Sequence, residues 1–459
     1  MRRFLGRLFV TAVFVSLLAI VAIGFALRGS LPTYEGRVTA AALSMPVTVE
    51  RDALGTVTLR AQNRRDLTWA LGYVHAQERF FEMDLLRRRA AGELAELFGA
   101  VALPADRIAR AHRMRARAIE GLKTYSPEDL DTLHAYRDGV NAGLAGLSVR
   151  PFPYLLTRSA AAPWRDEDTA LIAAAMSFTL NDAENARELA FAQMHAALPE
   201  SAYRFLTATG GAWDTPIAGA PLDWPAPPTA TDIDLRTVDP KLLHKPEKKD
   251  DDTPGSNSFA VAGALAGGAA LVANDMHLDL RVPGLWFRAR LIYPSTRRPG
   301  REVDVTGATL PGTPAIVAGS NRQIAWGFTN SYADTVDWVR VQRDPADKDR
   351  YLAANGSQPI AKITETLHVH GTADETLDIE ETEWGPILGT DIDGTPLALA
   401  WIAQQPGAFN LGLQALENAE TVDEGVAAAQ AAGIPPQNFV VGDRSGNIAW
   451  TIAGRLPNR

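Results

Sequence analysis

The chain has 459 residues, of which 46% are apolar and 22% charged, a composition typical of proteins that bury a large core. Its net charge of −9 argues against a nucleic-acid partner, and the absence of cysteine excludes disulfides, a thiolate nucleophile and cysteine metal ligands. The length allows one large layered domain or two to three smaller ones.

The N-terminus predicts a membrane helix. Arg2, Arg3 and Arg7 precede an apolar, charge-free stretch over 8–27 that is long enough to span a bilayer. Arginines in front of such a stretch favour a cytoplasmic N-terminus, so the remainder would lie outside the cytoplasm, in the periplasm. We interpret residues 1–29 as a signal anchor in the cell membrane. The alternative is a signal peptide that is cleaved on secretion to the periplasm.

The next region, residues 30–235, is predicted to be mostly helical. It begins with a β-hairpin, because residues 46–51 and 55–60 alternate apolar and polar side chains around a turn. Apolar residues at helical spacing then predict helices in four stretches, at 66–98, 107–122, 127–147 and 166–198.

A polar linker and a β-rich region follow. The run 245–252 is polar and contains Pro246, which predicts an exposed linker over residues 236–255. From 256 to 459 the pattern favours strands. The predicted strands lie at 259–262, 270–273, 285–292, 315–318, 336–341 and 439–442.

The tetrapeptide 255–258, Gly-Ser-Asn-Ser, is the first candidate for chemistry. Cleavage between Gly255 and Ser256 would leave Ser256 with a hydroxyl and a free α-amino group. That amine has a pKa of about 7.7–8.0 and can act as the base for its own hydroxyl. The alternative is an ordinary turn. The position of Ser256, on the first strand after the linker, favours the cleavage hypothesis.

Other polar residues also suggest a site. His277 follows the second predicted strand of the β-rich region and could orient a substrate or the Ser256 amine; alternatively it is hydrogen-bonded in a loop. Asn438 enters a strand and could donate to an oxyanion, or cap a turn. Asp334 and Asp337 could hold a hard cation such as calcium, or belong to a polar loop.

One helix carries a cluster that invites a metal interpretation, and several known motifs are absent. His75, Glu78, Glu82 and Asp84 lie within one predicted helix, and we interpret them as a polar helix face because no second helix offers a matching Glu-x-x-His. The sequence contains no Gly-x-Ser-x-Gly, P-loop or His-Glu-x-x-His motif, which disfavours an α/β-hydrolase, a P-loop enzyme and a zincin.

Seven segments resemble, in order, the penicillin acylase family of N-terminal-nucleophile amidohydrolases, which includes cephalosporin and acyl-homoserine-lactone acylases. The resemblance covers nearly the whole chain after the predicted anchor. The segments are 49–52, 71–79, 83–88, 255–261, 274–278, 325–327 and 437–438.

The resemblance implies an α+β fold, the αββα sandwich, that matures by autocatalytic cleavage into a heterodimer of α and β chains. It implies that Ser256 is the nucleophile and that His277 stands where cephalosporin and lactone acylases have histidine. Asn330 would supply a backbone N–H and Asn438 a side chain to the oxyanion hole, and Arg459 would lie near the amine.

The resemblance also implies one structural calcium ion and no organic cofactor. Its ligands would be Asp334, Val336, Asp337 and Glu188, with Glu188 preferred to Glu184. The implied substrate is a small-molecule amide of the β-lactam or acyl-homoserine-lactone type.

Four apolar residues are interpreted as lining a pocket for the acyl group, with a place in the protein core as the alternative. They are Met176, Phe178, Leu278 and Trp286.

The family's β chain normally continues beyond the position of Arg459. We therefore expect that the C-terminal part of the β chain is missing here and that the chain stops within a strand. The alternative function is accordingly a non-catalytic or truncated relative that serves as a binding or structural protein of the cell envelope.

Overall fold

The structure is a computed structural model that describes residues 2–458 except residues 182, 212, 215, 217, 218, 221–223, 238–254 and 279. Most of the predicted linker at 236–255, and all of Arg459, lie outside the described residues. The α-helices are α1 (Arg2–Gly29), α2 (Arg64–Ala91), α3 (Ala95–Phe98), α4 (Leu103–Ala111), α5 (Met114–Gly121), α6 (Pro127–Ala145), α7 (Pro153–Leu156), α8 (Asp168–Leu180), α9 (Ala186–Ala197), α10 (Glu200–Leu206), α11 (Gly263–Ala266) and α12 (Val422–Ala431).

In the described part of the chain, two strands precede residue 255 and the others begin at or after it. They are β1 (Thr48–Arg51), β2 (Val57–Arg60), β3 (Gly255–Val261), β4 (Leu271–His277), β5 (Phe287–Pro294), β6 (Glu302–Thr309), β7 (Ile316–Ser320), β8 (Ile324–Asn330), β9 (Val336–Arg340), β10 (Arg343–Asp344), β11 (Asp347–Ala353), β12 (Gly356–Pro359), β13 (Ala361–Leu367), β14 (Glu375–Glu381), β15 (Ile387–Thr390), β16 (Pro396–Trp401), β17 (Gln437–Asp443) and β18 (Ile448–Ala453).

Helix α1 matches the predicted membrane helix. It is long and apolar enough to cross a membrane by length and composition alone, with a mean hydropathy of 2.7 and no buried part. A signal sequence near the N-terminus has the same properties.

Local capping explains where the two long helices of the region 30–235 begin and end. Asn63 accepts a hydrogen bond from Asp66 N–H (2.7 Å) at the start of α2, and Ser126 accepts one from Asp129 N–H (3.1 Å) at the start of α6. Gly92, in the left-handed region with φ 66°, ends α2. The helix predicted over 66–98 is therefore interrupted here, before α3.

Eight strands form one sheet in the order β1-β2-β5-β6-β7-β8-β17-β18. The pairing of β2 with β5 is parallel, and the other neighbours are antiparallel. The predicted hairpin is confirmed as β1 and β2, with Arg51 opposite Val57. Smaller sheets are formed by β10-β11-β12, by β13-β14 and by β15-β16-β9.

The large sheet separates two layers. Helix α2 packs on β5 and is itself covered by α6, while α12 packs on β17 and β18. The main core lies between these helices and the sheet, where Leu71 and Phe80 of α2 share one cluster with Ala289 and Phe439. The hairpin β3-β4 lies on the opposite face of the sheet, against β8 and β17. The observed order of layers is helix, sheet, hairpin.

A buried ionic network fixes α8 to α2. Asp168 on α8 accepts from Arg115 (2.8 Å) and pairs with Arg87 on α2, whose guanidinium also pairs with Asp84 at 2.7 Å. Asp84 and Asp168 are both fully buried. Asp84 also accepts a hydrogen bond from Tyr154 Oη at 2.6 Å. Buried charges need such partners, so this network sets the position of α8.

Three expectations need correction. The stretch 166–198 contains two helices, α8 and α9, rather than one continuous pattern. The cluster that includes His75 and Asp84 is not simply a polar helix face, because both residues are fully buried among hydrogen-bonding partners. The last strand ends at Ala453 and residues 454–458 lie outside it, so the expectation that the chain stops within a strand was wrong.

Candidate active site

Ser256 is carried by the hairpin β3-β4, which the side chain of Asn274 fastens to the sheet. Asn274 on β4 donates to the carbonyl oxygen of Phe328 on β8 (2.8 Å) and accepts from the Phe328 N–H (3.3 Å). The same amide donates to Asn257 O on β3 (3.0 Å). One side chain therefore connects both hairpin strands to the sheet.

Glycine on the sheet makes this close approach possible. A Cβ on Gly327 would lie 2.6 Å from Asn274 Cβ and 3.0 Å from Ser258 Oγ, and a Cβ on Gly442 would lie 2.7 Å from Ala270 Cβ. These distances are too short for any larger residue, so the hairpin requires glycine at these two positions of the sheet. The sequence analysis missed this use of Asn274, although Gly327 stands in the motif 325–327.

Ser256 lines a large apolar cavity and contacts its own preceding peptide. The cavity encloses about 1000 Å³ including its open mouth, and no charged side chain lines it among the residues that the structure describes. The Ser256 hydroxyl donates to the Gly255 carbonyl oxygen at 2.5 Å. The candidate nucleophile thus faces both a ligand-sized space and the peptide bond that the cleavage hypothesis requires it to attack.

Three of the four predicted acyl-pocket residues line this cavity, and Phe178 does not. Met176, Leu278 and Trp286 are lining residues. Phe178 packs edge-on against His112 and Trp401 instead. The reason is helical geometry: Met176 and Leu180 are four residues apart on one face of α8, and a residue midway between them points to the other side.

His277 lies on the opposite face of the hairpin from Ser256. Ser256 is paired with Met276, which also lines the cavity, while His277 is paired with Gly255. Because side chains alternate along a strand, the His277 ring points outward. Its side chain is 51% exposed and bonds to Asp275 at 2.9 Å. The structure therefore does not bring His277 into the cavity.

Asn330 and Asn438 meet where β8 and β17 pair. Asn438 donates to Thr329 Oγ1 (3.0 Å) and to Asn330 O (3.2 Å), and its Oδ1 accepts from Trp450 (3.1 Å). Asn438 is four residues before Gly442 on β17, so its side chain points to the face that the hairpin covers. The Asn330 side chain is turned away, donating to Leu180 O on α8 at 2.7 Å.

Three of the predicted metal ligands converge. The carboxylate oxygens of Glu188, Asp334 and Asp337 lie within 4.8 Å of one another. Val336 O, the predicted fourth ligand, accepts a hydrogen bond from Asn185 Nδ2 at 3.0 Å, and the same nitrogen donates to Glu188 (2.5 Å). This all-oxygen donor set suits a hard cation. Asn185, which the sequence analysis did not single out, joins α9 to β9 beside it.

A buried histidine supports the cavity wall. The Thr309 hydroxyl donates to Phe287 O (2.9 Å), so His75 Nε2–H donates to Thr309 Oγ1 (2.9 Å). His75 Nδ1 then accepts from Tyr136 Oη (2.7 Å), which in turn accepts from Gly312 N–H (2.9 Å). Gly312 belongs to the segment whose residues 310 and 313–315 line the cavity. Burial lowers the pKa of His75 to about 3, so the ring is neutral.

Two curated relatives match nearly the whole chain in sequence. The chain is 30% identical over 444 residues to penicillin acylase 2 proenzyme of Pseudomonas sp. strain SE83, covering 95% of this chain and 55% of that protein. It is 30% identical over 455 residues to the acyl-homoserine lactone acylase QuiP of Pseudomonas aeruginosa, covering 94% of this chain and 52% of that protein. The chain thus spans about half the length of the curated relatives it matches.

A solved structure of thermostable penicillin G acylase from Alcaligenes faecalis overlaps 34% of this chain and 28% of its own, with a TM-score of 0.31 and 27% identity. The family model for penicillin amidase matches residues 46–459. By that match, which covers nearly all of the chain after α1, the chain belongs to the penicillin amidase family of amide hydrolases.

Proposed function

We propose that this chain is an exported amidohydrolase that cleaves itself between Gly255 and Ser256 and then hydrolyses the acyl amide bond of a small molecule. The substrate is of the β-lactam or acyl-homoserine-lactone type, in keeping with the activities named for the relatives. The α and β chains produced by cleavage remain together as a heterodimer. Helix α1 directs export and, if it is retained, tethers the enzyme to the membrane.

The observation that carries the proposal is the position of Ser256. Its hydroxyl lies against the Gly255 carbonyl group and at the wall of an apolar cavity. A serine in an ordinary turn would need neither contact.

Self-cleavage begins when Ser256 Oγ attacks the Gly255 carbonyl carbon. The C–N bond breaks, the peptide nitrogen takes up the hydroxyl proton, and Gly255 becomes esterified to Ser256 Oγ. Water then hydrolyses this ester, which leaves a carboxylate on Gly255 and a free α-amino group on Ser256. The new amine has a pKa of about 7.7–8.0, so a useful fraction is unprotonated near neutral pH.

Hydrolysis of the substrate repeats this chemistry. The α-amino group of Ser256 takes the proton from Ser256 Oγ, and the oxygen attacks the substrate carbonyl carbon. The amide C–N bond then breaks, and the α-amino group passes the same proton to the nitrogen of the leaving group. Water hydrolyses the resulting acyl-enzyme ester and releases the acid. The cavity suits the acyl group because it is apolar and starts at the nucleophile.

The oxyanion would be held by the Asn330 N–H and the Asn438 side chain. In the uncleaved chain, both Nδ2 hydrogens of Asn438 are engaged by Thr329 Oγ1 and Asn330 O. One of these bonds must therefore be released for catalysis. Donors of this kind contribute roughly 2.7–4 kcal/mol to transition-state stabilisation.

Glu188, Asp334, Asp337 and the Val336 carbonyl would hold one calcium ion with a structural role. The cluster joins α9 to β9, so a cation there would offset the repulsion among three carboxylates and strengthen that contact. None of these four residues lines the cavity at Ser256.

A second function, a non-catalytic envelope protein that binds its ligand in the same cavity, is favoured by one observation. The apolar cavity is already present in the chain in which Gly255 and Ser256 are still joined, so a ligand could bind there without cleavage. Cleavage at Ser256 distinguishes this function from the first.

The decisive experiment is intact mass measurement and N-terminal sequencing of the purified chain, of Ser256→Ala and of Ser258→Ala. Ser258 is a matched control because it lies two residues along the same strand and its hydroxyl donates to Ala273 O (3.1 Å) instead of a scissile carbonyl. We expect a new N-terminus at Ser256 in the wild type and in Ser258→Ala, and none in Ser256→Ala. An uncut wild-type chain would favour the binding protein.

A further inference from the structure

Two aromatic side chains divide the cavity at Ser256 from a second, smaller pocket. Tyr125 and Phe409 line both spaces, as does Ala170 beside them. Counted together with the solvent at their open sides, the cavity measures about 1000 Å³ and the smaller pocket about 360 Å³. The two aromatic rings therefore form a wall between the cavity and the smaller pocket.

The backbone of this wall is fixed. Tyr125 Oη donates to Phe409 O at 3.2 Å. The next residue, Asn410, accepts from the N–H groups of Gly433 (2.7 Å) and Gly412 (2.8 Å), and its own N–H donates to Gly433 O (3.2 Å). These hydrogen bonds hold the main chain at Phe409 and Asn410, and those of Asn410 do not involve the Phe409 side chain. A smaller side chain at position 409 should therefore change the wall and leave the loop in place.

The space behind the wall is suited to an aliphatic chain. Most of its lining is small and apolar, provided by Ala118, Gly121, Ala170, Ala174, Ala403 and Ala408. Among its described lining residues one is charged, Arg117, which already pairs with Glu381 and donates to His112 O (2.9 Å) and Gln404 O (3.1 Å). A methylene chain that entered would therefore meet no charge in need of a partner.

We propose that Tyr125 and Phe409 form the end wall that limits the length of a linear, neutral acyl chain bound at Ser256, and that Phe409 is the residue whose size sets this limit. This rests on the proposed function, in which the acyl group occupies the cavity. An acyl group with a terminal carboxylate is excluded because no lining side chain of the described cavity would pair with its charge.

The test measures binding and turnover separately, with N-acyl-homoserine lactones whose linear acyl chains range from about 4 to about 14 carbons. Binding is measured by calorimetry on the full-length chain carrying Ser256→Ala, which needs no chemistry, and turnover on the chain with Ser256 intact. Each buried methylene contributes about 0.8 kcal/mol, or roughly fourfold in affinity, until the chain reaches the wall.

In the Ser256→Ala chain we expect affinity to rise with acyl-chain length and to stop rising at the length that reaches the wall. When Phe409→Ala is added, affinity should go on rising for about two more carbons. The longest chains should then bind roughly tenfold more tightly or better. Phe409→Leu should give a smaller shift in the same direction, and it keeps the test usable if the alanine variant does not fold. Tyr125→Phe keeps the ring and should not alter the length limit.

Leu278→Ala is the matched control, because Leu278 lines the cavity but not the pocket behind the wall. It should lower affinity for all chains without moving the limit. An unchanged limit in both Phe409 variants, or an equal shift in Leu278→Ala, would overturn the proposal. Absence of hydrolysis by the wild type, with the length limit present in binding, would instead overturn only the proposed enzymatic function.

Discussion

The two buried histidines make the stability of the chain depend on pH. Burial lowers the pKa of His75 to about 3 and that of His112 to about 4, against 6.5 for an exposed histidine. His75 has no room for a second proton because Nδ1 already accepts from Tyr136 Oη (2.7 Å). Between these values and 6.5 the unfolded chain binds more protons than the folded one, so acidification favours unfolding.

The expected loss follows from these values. At about pH 5 an unfolded histidine is roughly 97% protonated whereas His75 stays neutral, which lowers the free energy of unfolding by about 2 kcal/mol relative to about pH 7.5. His112 contributes a loss of similar size. The two together are a large part of the 5–15 kcal/mol that is typical of a folded domain.

The assay is urea unfolding of the detergent-solubilised chain, followed by tryptophan fluorescence at both pH values. His75→Gln and His112→Gln should each reduce the loss between the two pH values by about 2 kcal/mol, whatever their effect at pH 7.5, and the double variant by about 4 kcal/mol. Carboxyl groups also contribute to the pH dependence, but equally in the wild type and the variants, so the difference between them reports the histidine alone. If His75→Gln keeps the full wild-type dependence, the neutral, hydrogen-bonded state assigned to His75 is wrong.

Three further changes test the site and its supports. Gly327→Ala places a methyl group 2.6 Å from Asn274 Cβ, so it should destabilise the hairpin by about 1–3 kcal/mol and slow the appearance of the Ser256 N-terminus in mass spectra. Calcium should raise the melting temperature of the wild type relative to a chelator, and Asp337→Asn should abolish this rise because it removes a carboxylate ligand. If the variant responds to calcium and chelator as the wild type does, the ion binds elsewhere. Asp168→Asn breaks a buried network and should cost about 3–5 kcal/mol by urea unfolding, against less than about 1 kcal/mol for the exposed Asp138→Asn.

The elements that the sequence predicted well are those in which one face is buried. The alternation at 55–60, the helical spacing of α2 and α6, and the apolar strands such as β5 and β17 were all recognisable, because the core imposes the period. The sheets between residues 343 and 390 were not predicted. Strand β13 is mostly polar on both sides, and its pairing with β14 brings together few apolar residues, such as Ile363 and Ile379.

Which residues reach the candidate site depends on tertiary packing. The sequence identified apolar residues of α8 as candidates for the pocket because of their residue type. Which of them face the cavity depends on how α8 is positioned and rotated against its neighbours, which the ion pair of Asp168 with Arg87 fixes. As a result Met176 faces the cavity and Phe178 does not. Tyr125 and Phe409 are far apart in sequence and have no motif. Their meeting at one wall could not be inferred from either segment alone.

The face on which Ser256 lies depends on which side of the hairpin packs against the sheet. If the hairpin packed by its other face, Ser256 would point outward and His277 inward, since successive side chains point to opposite faces. The sequence leaves both orientations open. What selects the observed one is the fit of Asn274 and Ser258 over Gly327, where any Cβ would clash. The same fit that directs the Ser256 hydroxyl to the cavity therefore leaves the His277 ring outside, beside Gly255. In the proposed reaction, any part that His277 plays must therefore act next to the Gly255–Ser256 peptide and not on the acyl group.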